Sequence, residues 1–321
     1  MQNNAWFVGD DQSIAWREAP VPEVGADDVL IDVRAAGVNR PDLLQRMGVY
    51  PPPPGASEAL GLEVAGTISA IGSAVTRFSI GERVMALVPG GGYAEQCRAD
   101  QGSVMPLPQT LSFEEGAAFP ETAFTVWTNT FEAGGLAHGE RLFVHGATSG
   151  IGTMAAAIAS AMGHEVFGTA GTDSKVKAAE ELGFTKVWNY KTEDWSEAMQ
   201  GHGGVDVALD MVGGDYVPRN LAMLRDGGRH VSIAFQAGLE AQVNIMAIMR
   251  KRLTLTGSTL RARPNAEKAR LRGAVESSLF PLVSIGKLKP HIGLSLPMSE
   301  AEKAHDAMRS GALIGKAVLT R

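Results

Sequence analysis

The stretch "RLFVHGATSGIGTMAAAIA", Arg141 to Ala159, runs from an apolar strand through a glycine-rich turn directly into a helix of small residues. Thr148, Ser149, Gly150, Ile151 and Gly152 occupy the turn and the first helical positions. Backbone amides placed there, with the positive end of the helix dipole, suit a pyrophosphate. An ordinary strand–turn–helix needs one glycine, whereas Gly146, Gly150 and Gly152 put three within seven residues. A dinucleotide is the expected ligand.

The tip of the next strand distinguishes one dinucleotide from another. Sites for NAD usually place an acid about 20 residues past the glycines to accept from the ribose hydroxyls. Here the tip reads Ala170, Gly171, Thr172, with no acid. Ser174 and Lys175 follow, and a lysine in the first turn of a helix is misplaced against the dipole unless an anion lies near it. NADPH, with its 2′-phosphate, is therefore expected. Asp173 argues the other way, since a carboxylate would repel that phosphate.

A third stretch, "AAGVNRPDLLQR", residues 35 to 46, delivers a strand to a short helix. Asn39 is a favoured type for the cap of a helix entered at Pro41, and Asp42 suits its first turn. Tyr50 precedes four prolines and is able to pack on them.

The elements that position these residues fall into two textures. Up to about residue 113 the chain reads as short strands broken by Gly and Pro: Val29–Val33, Glu63–Ile71, Arg83–Leu87 and Tyr93–Arg98. Beyond it, helix Glu115–Ala133 introduces an alternation of strands (141–145, 165–169, 186–189, 205–210, 229–233, 253–257) with helices such as Thr153–Met162 and Ser174–Leu182. That pattern predicts a parallel sheet covered on both faces. Helix Ala266–Ile285, then helix Met298–Gly315 and strand Ala317–Leu319, close the chain.

With 321 residues there is length for two domains. A net charge of −6 argues against binding nucleic acid or an acidic membrane through overall charge. Cys97 is the single cysteine, which excludes an intrachain disulfide and a cysteine-rich metal site. The seven histidines show no ligand spacing. Met1 to Phe7 carries no basic segment followed by an apolar core, and no apolar run approaches the ~20 residues of a membrane span. A soluble, cytoplasmic protein is expected. Arg250 to Arg272 holds eight Lys or Arg and one Glu, but no aromatics interleave to stack bases, so a nucleic-acid partner is not expected.

Motifs carried nearly end to end resemble the medium-chain dehydrogenase/reductase superfamily: "AAGVNRPDLLQRMGVYPPPPGAS", "LGLEVAGTISAIG", "GERVMALVPGGGYAE", "AFPETAFTVW", "HGATSGIG", "GFTKVWNYKTEDW", "LDMVGG" and "IGKAVL". Within it they are similar to the zinc-free quinone oxidoreductases related to zeta-crystallin, of the p53-inducible type. The short-chain dehydrogenases share the glycine spacing, but none of Tyr50, Tyr93, Tyr190 or Tyr216 has the lysine four places on that their catalysis uses. The resemblance implies an α/β chain: a GroES-like, mostly β domain (1–113 with 286–321) and a Rossmann doubly wound domain (114–285).

Zinc relatives carry a cysteine where Asn39 stands and a histidine where Leu62 stands, so no metal is expected. A quinone is already electrophilic, and its reduction needs alignment and a hydrogen-bond donor rather than a Lewis acid. By resemblance, Asn39, Asp42 and Tyr50 line the substrate side and Thr125 lies near the cofactor's carboxamide. Gly213 and Phe235 border the nicotinamide ribose, Ser258 and Arg261 close the cleft, and Lys175 and Tyr190 hold the 2′-phosphate. The resemblance also implies a homodimer through the edge strand Leu253–Ser258. Two other readings stay open. One is a reductase of α,β-unsaturated carbonyls, in which a positioned acid such as Tyr50 matters more. The other is a dinucleotide-gated binding or structural protein, as among zeta-crystallin relatives, which serve in the lens and bind RNA.

Overall fold

Val, Ile and Ala side chains along Asp28–Val38 build the longest strand, buried at Val29, Ile31, Val33 and Ala36. The computed structural model describes residues 2–321. In it the chain forms two units, residues up to 124 with 260–321, and residues 125–259.

In the first unit a seven-stranded sheet runs in the order Ile292–Pro297, Lys316–Thr320, Asp28–Val38, Glu63–Ile71, Arg83–Leu87 and Val104–Pro106, with Gln96–Asp100 also on Asp28–Val38. The C-terminal strand lies antiparallel to Asp28–Val38, setting Ala317 opposite Val38 and Leu319 opposite Ala36. That register brings Lys316 to Asn39, 277 residues away in sequence. It also explains why the strand continues past the expected Val33: its last residues are paired by a segment from the far end of the chain. A hairpin of Gln2–Val8 and Ile14–Pro20, not anticipated from the sequence, is held by Trp6 edge-on to Trp16 and by the Trp6 indole donating to the Met298 carbonyl at 2.8 Å.

The second unit is a parallel six-stranded sheet in the order Lys186–Asn189, Val166–Ala170, Leu142–Val144, Val205–Asp210, Leu224–Ser232, Thr254–Gly257. Numbered along the unit this is 3-2-1-4-5-6, the doubly wound dinucleotide-binding order, whose crevice opens at the strands' carboxyl ends where the order reverses. Phe143, Phe167, Trp188, Trp195, Val205 and Leu221 pack its core, as covered parallel strands require.

Four expectations change. The helix expected over Glu115–Ala133 is Phe113–Ala117, Pro120–Val126 and a π-helical turn Trp127–Ala133. Pro120 offers no amide hydrogen and disfavours a helical residue before it, so the helix must restart there. The last helix spans only Ala301–Arg309, and strand Tyr93–Arg98 is Gln96–Asp100. The unit boundaries at 124/125 and 259/260 also differ from 113 and 286. Helix Asn265–Ser284 belongs with the β unit: Phe280 meets Phe119 edge-on, and Arg272 donates to the Gly102 carbonyl at 3.1 Å. Sequence texture assigned it by its helicity, whereas its packing partners decide its place. Among the described residues no helix is long and apolar enough to cross a membrane.

Candidate active site

Strand Asp28–Val38 ends at Asn39, which caps the helix Arg40–Arg46. Its backbone amide donates to Asp42 Oδ2 at 2.7 Å, the reciprocal half of a capping box, while its side chain turns inward. There Asn39 Nδ2 donates to Glu63 Oε1 at 2.9 Å, and Lys316 Nζ donates to Asn39 Oδ1 at 2.7 Å, Glu63 Oε1 at 2.6 Å and the Val38 carbonyl at 2.9 Å. The other Glu63 oxygen accepts from the Glu121 backbone amide at 2.9 Å. Lys316 is 3% exposed and Glu63 0%. A buried charge in an apolar strand must be paired, and these two pair each other. A lysine ammonium thus sits beside Asn39, the position at which zinc relatives place a metal ligand.

Two of the expected pocket residues are committed elsewhere. Asp42 is fully buried, and its oxygens accept from the Asn39 amide, the Tyr93 hydroxyl at 2.9 Å and the Gly61 amide at 3.2 Å. It anchors the helix and presents no face to a substrate, which corrects its assignment as a substrate-lining residue. Burial raises its carboxyl to about 6, against the lowering effect of those donors. Arg261 is also well anchored. Its guanidinium is buried in the first unit and donates to the carbonyls of Pro89 at 2.8 Å and Tyr50 at 3.1 Å and to Gln45 Oε1 at 2.7 Å. It clamps the segment that carries Tyr50. Tyr50 stays half-buried under that guanidinium, 5.5 Å from ring centre to Arg261 Cζ. Burial, then the Glu121 charge, raises its phenol.

In the second unit Ser149 caps helix Gly150–Ala161, its hydroxyl accepting from the Gly152 amide at 3.0 Å. The remaining first-turn amides are left for a ligand, as at any helix start. A Cβ on Gly152 would lie 2.3 Å from the Gly146 carbonyl oxygen and 2.6 Å from that of Ala147. Only glycine lets this helix press on the turn, and the cradle of Thr148, Ser149, Gly150, Ile151 and Gly152 fits a pyrophosphate. Across the crevice Asp210 accepts from the amides of Val212 at 2.7 Å and Gly213 at 3.2 Å, setting Gly213 at φ +69° beside Phe235. Phe235 is 61% exposed. Ser258 donates to Asn129 Oδ1 at 2.7 Å, and Asn129 Nδ2 donates to the Thr125 carbonyl at 2.8 Å. The structure therefore links Ser258 to Thr125 through a residue the sequence reading did not single out.

At the second strand's tip, Thr172 caps helix Asp173–Glu181 through the Lys175 amide at 3.3 Å. Asp173, the sequence-level objection to a phosphate, has its Oδ1 taken by Asn189 Nδ2 at 2.7 Å. Tyr190 is 43% exposed with its hydroxyl beside Gly171. Partial burial, then the Lys191 charge, lowers the Lys175 ammonium from its usual range. Like charges near one another favour an anion beside them. Lys191, too, escaped the sequence reading.

Within the basic stretch, Lys251 donates to the Ala222 and Leu224 carbonyls, Arg252 pairs with Asp226, Arg272 pairs with Glu276, and Lys268 is buried.

Residues 25–137 match the family of alcohol dehydrogenase GroES-like domains, and residues 150–276 match the zinc-binding dehydrogenases. The quinone oxidoreductase of Rattus norvegicus is 32% identical over 318 residues, 98% of this chain and 95% of the relative. The chain belongs to the medium-chain dehydrogenase/reductase superfamily, among its quinone oxidoreductase-like members. Superfamily folds agree. An Escherichia coli quinone oxidoreductase complexed with NADPH superimposes with a TM-score of 0.88 at 28% identity, over 99% of this chain and 100% of that one. The CurK enoyl reductase does so with 0.84 at 28%, over 100% and 99%. The protein is thus an oxidoreductase of this superfamily, with a glycine turn and helix start that fit a dinucleotide. Glu63, Tyr93 and Lys316 are site residues that sequence reasoning passed over, although a lysine inside the apolar run "GKAVL" was signal enough that a buried partner existed.

Proposed function

We propose that the protein is an NADPH-dependent quinone oxidoreductase that works without zinc. The observation that carries this is the Lys316 ammonium bonded to Asn39 and Glu63. With an amide and a leucine where zinc relatives have ligands, and a lysine cation between Asn39 and Glu63, the pocket favours an acceptor that is already electrophilic. The cofactor supplies hydride when bound. Residues 148–152 hold its pyrophosphate, and Lys175, Tyr190 and Lys191 recognise its 2′-phosphate. Purified protein under exhaustive chelation is expected to oxidise NADPH with quinones of graded size. Activity that chelation abolishes and zinc alone restores would sink the zinc-free reading.

Reduction of enones or enoyl thioesters is the second reading, favoured by the likeness to an enoyl reductase at 28% identity. The same NADPH assay with enones beside quinones separates the two.

We infer a homodimer through Thr254–Gly257. This strand is paired on one side only and is exposed along its length. The preceding helix Ile245–Lys251 buries none of its residues, and Ile245, Met246, Met249 and the strand's Leu255 are all exposed. An open edge flanked by an apolar helix is a liability that pairing with a second copy removes. Light scattering at micromolar concentration is expected to give twice the 33.8 kDa chain mass, and Leu255→Lys to shift it toward one chain. A monomeric wild type refutes the dimer.

A further inference from the structure

A cavity of about 690 Å³ lies wholly within the first unit, and Asn39, Tyr50, Glu63 and Lys316 take no part in its lining. That volume is usual for a small-molecule site. Ala5, Phe7, Pro20, Pro53 and Leu87 give it apolar walls, among which stand two buried cations, Lys268 at 4% and Arg261 at 6% exposed. Buried charges are ordinarily paired with an opposite one. These two are bonded only to neutral acceptors. Lys268 Nζ donates to the Arg261 carbonyl at 2.8 Å, and the Arg261 guanidinium donates to the carbonyls of Pro89 and Tyr50 and to Gln45 Oε1. The carboxyls of Glu121, Asp100 and Asp42 act on them only from beyond ion-pair distance. Asp100, itself in the lining, spends its oxygens on the Gly102 amide at 2.8 Å and on Asn265 Nδ2 at 2.9 Å.

The same lining holds two further groups that lack a partner. Ser103 is 3% exposed, and among the described residues its hydroxyl has none. Helix Asn265–Ser284 starts in the lining at Asn265 with no side chain capping it, which leaves its first amides open. Lys268 stands at the end of that first turn, where a cation opposes the helix dipole. An unpaired ammonium, an unpartnered hydroxyl and an uncapped helix start are each relieved by negative charge. We propose that this cavity binds a small organic carboxylate with an apolar body. The head accepts from Lys268 Nζ, whose remaining hydrogens are unspent, and from the Ser103 hydroxyl, while the body lies on the apolar walls. The Asp100 carboxylate in the same lining repels a dianion such as phosphate more than it repels a monoanion.

The test is isothermal titration calorimetry on the full-length protein with octanoate, benzoate, inorganic phosphate and octanamide, the uncharged counterpart of octanoate. Both carboxylates should bind saturably, and more tightly than phosphate. Octanoate should exceed octanamide by roughly tenfold or more, because only the carboxylate makes a charge-assisted hydrogen bond. Lys268→Met should weaken octanoate on the order of 10- to 100-fold and leave octanamide unchanged. Ser103→Ala, which removes one neutral donor, should cost octanoate about 2- to 10-fold. Circular dichroism checks that each variant folds. An octanoate affinity unchanged in a folded Lys268→Met overturns the proposal. Should that variant not fold, an unchanged affinity in Ser103→Ala overturns it instead. Absence of saturable binding by either carboxylate, octanamide binding as tightly as octanoate, or phosphate binding more tightly than both carboxylates each overturns it as well.

Discussion

Lys316→Met is expected to destabilise the first unit by roughly 3–5 kcal/mol, the usual cost of stripping one partner from a buried ion pair. The partner left behind is Glu63, 0% exposed, with Oε1 bonded only to Asn39 once the ammonium is gone. The cost lies in that uncompensated charge more than in the lost Coulomb attraction. For a unit of this size such a loss lowers the thermal midpoint by roughly 6–20 °C. Adding Glu63→Gln should return part of it, because the amide still accepts from the Glu121 backbone and carries no charge. The measurement is the unfolding midpoint of the two variants and wild type. A loss of under about 1 kcal/mol, typical of exposed pairs, would mean that Glu63 finds other compensation and that the lysine is not what holds the cluster.

The second large effect concerns cofactor choice. Lys175→Ala is expected to weaken NADPH binding on the order of 10- to 100-fold, since a charge-assisted hydrogen bond is worth roughly 1.5–3 kcal/mol and each ~1.4 kcal/mol is tenfold. NADH binding should hardly change. The fold should survive, because the helix cap uses the Lys175 backbone amide and the Thr172 hydroxyl, neither of which is altered. Gly171→Asp should cost NADPH still more. A Cβ there would lie 2.7 Å from the Tyr190 hydroxyl, so the exposed ring must swing away while the new carboxylate repels the phosphate. Dissociation constants for both cofactors at fixed ionic strength decide the matter. Equal losses of NADPH and NADH in Lys175→Ala would make the lysine structural.

Local pattern alone determined the dinucleotide site of this protein. Strand, glycine turn and helix are contiguous at 141–161, and the pyrophosphate cradle is built from backbone amides whose placement depends on neighbours a few residues apart. The missing acid at Gly171 and the lysine at 175 lie in the same kind of local run. The parallel sheet, too, was legible from alternating apolar segments, since strands covered on both faces must be apolar throughout. Only the tertiary structure decided the buried cluster around Asn39. Its partners come from residues 42, 63, 93, 121 and 316, joined by the pairing of the first long strand with the last one. No periodicity in the sequence records that pairing. Asp42 illustrates the difference: the resemblance put it on the substrate side, but complete burial and three accepted hydrogen bonds make it an anchor.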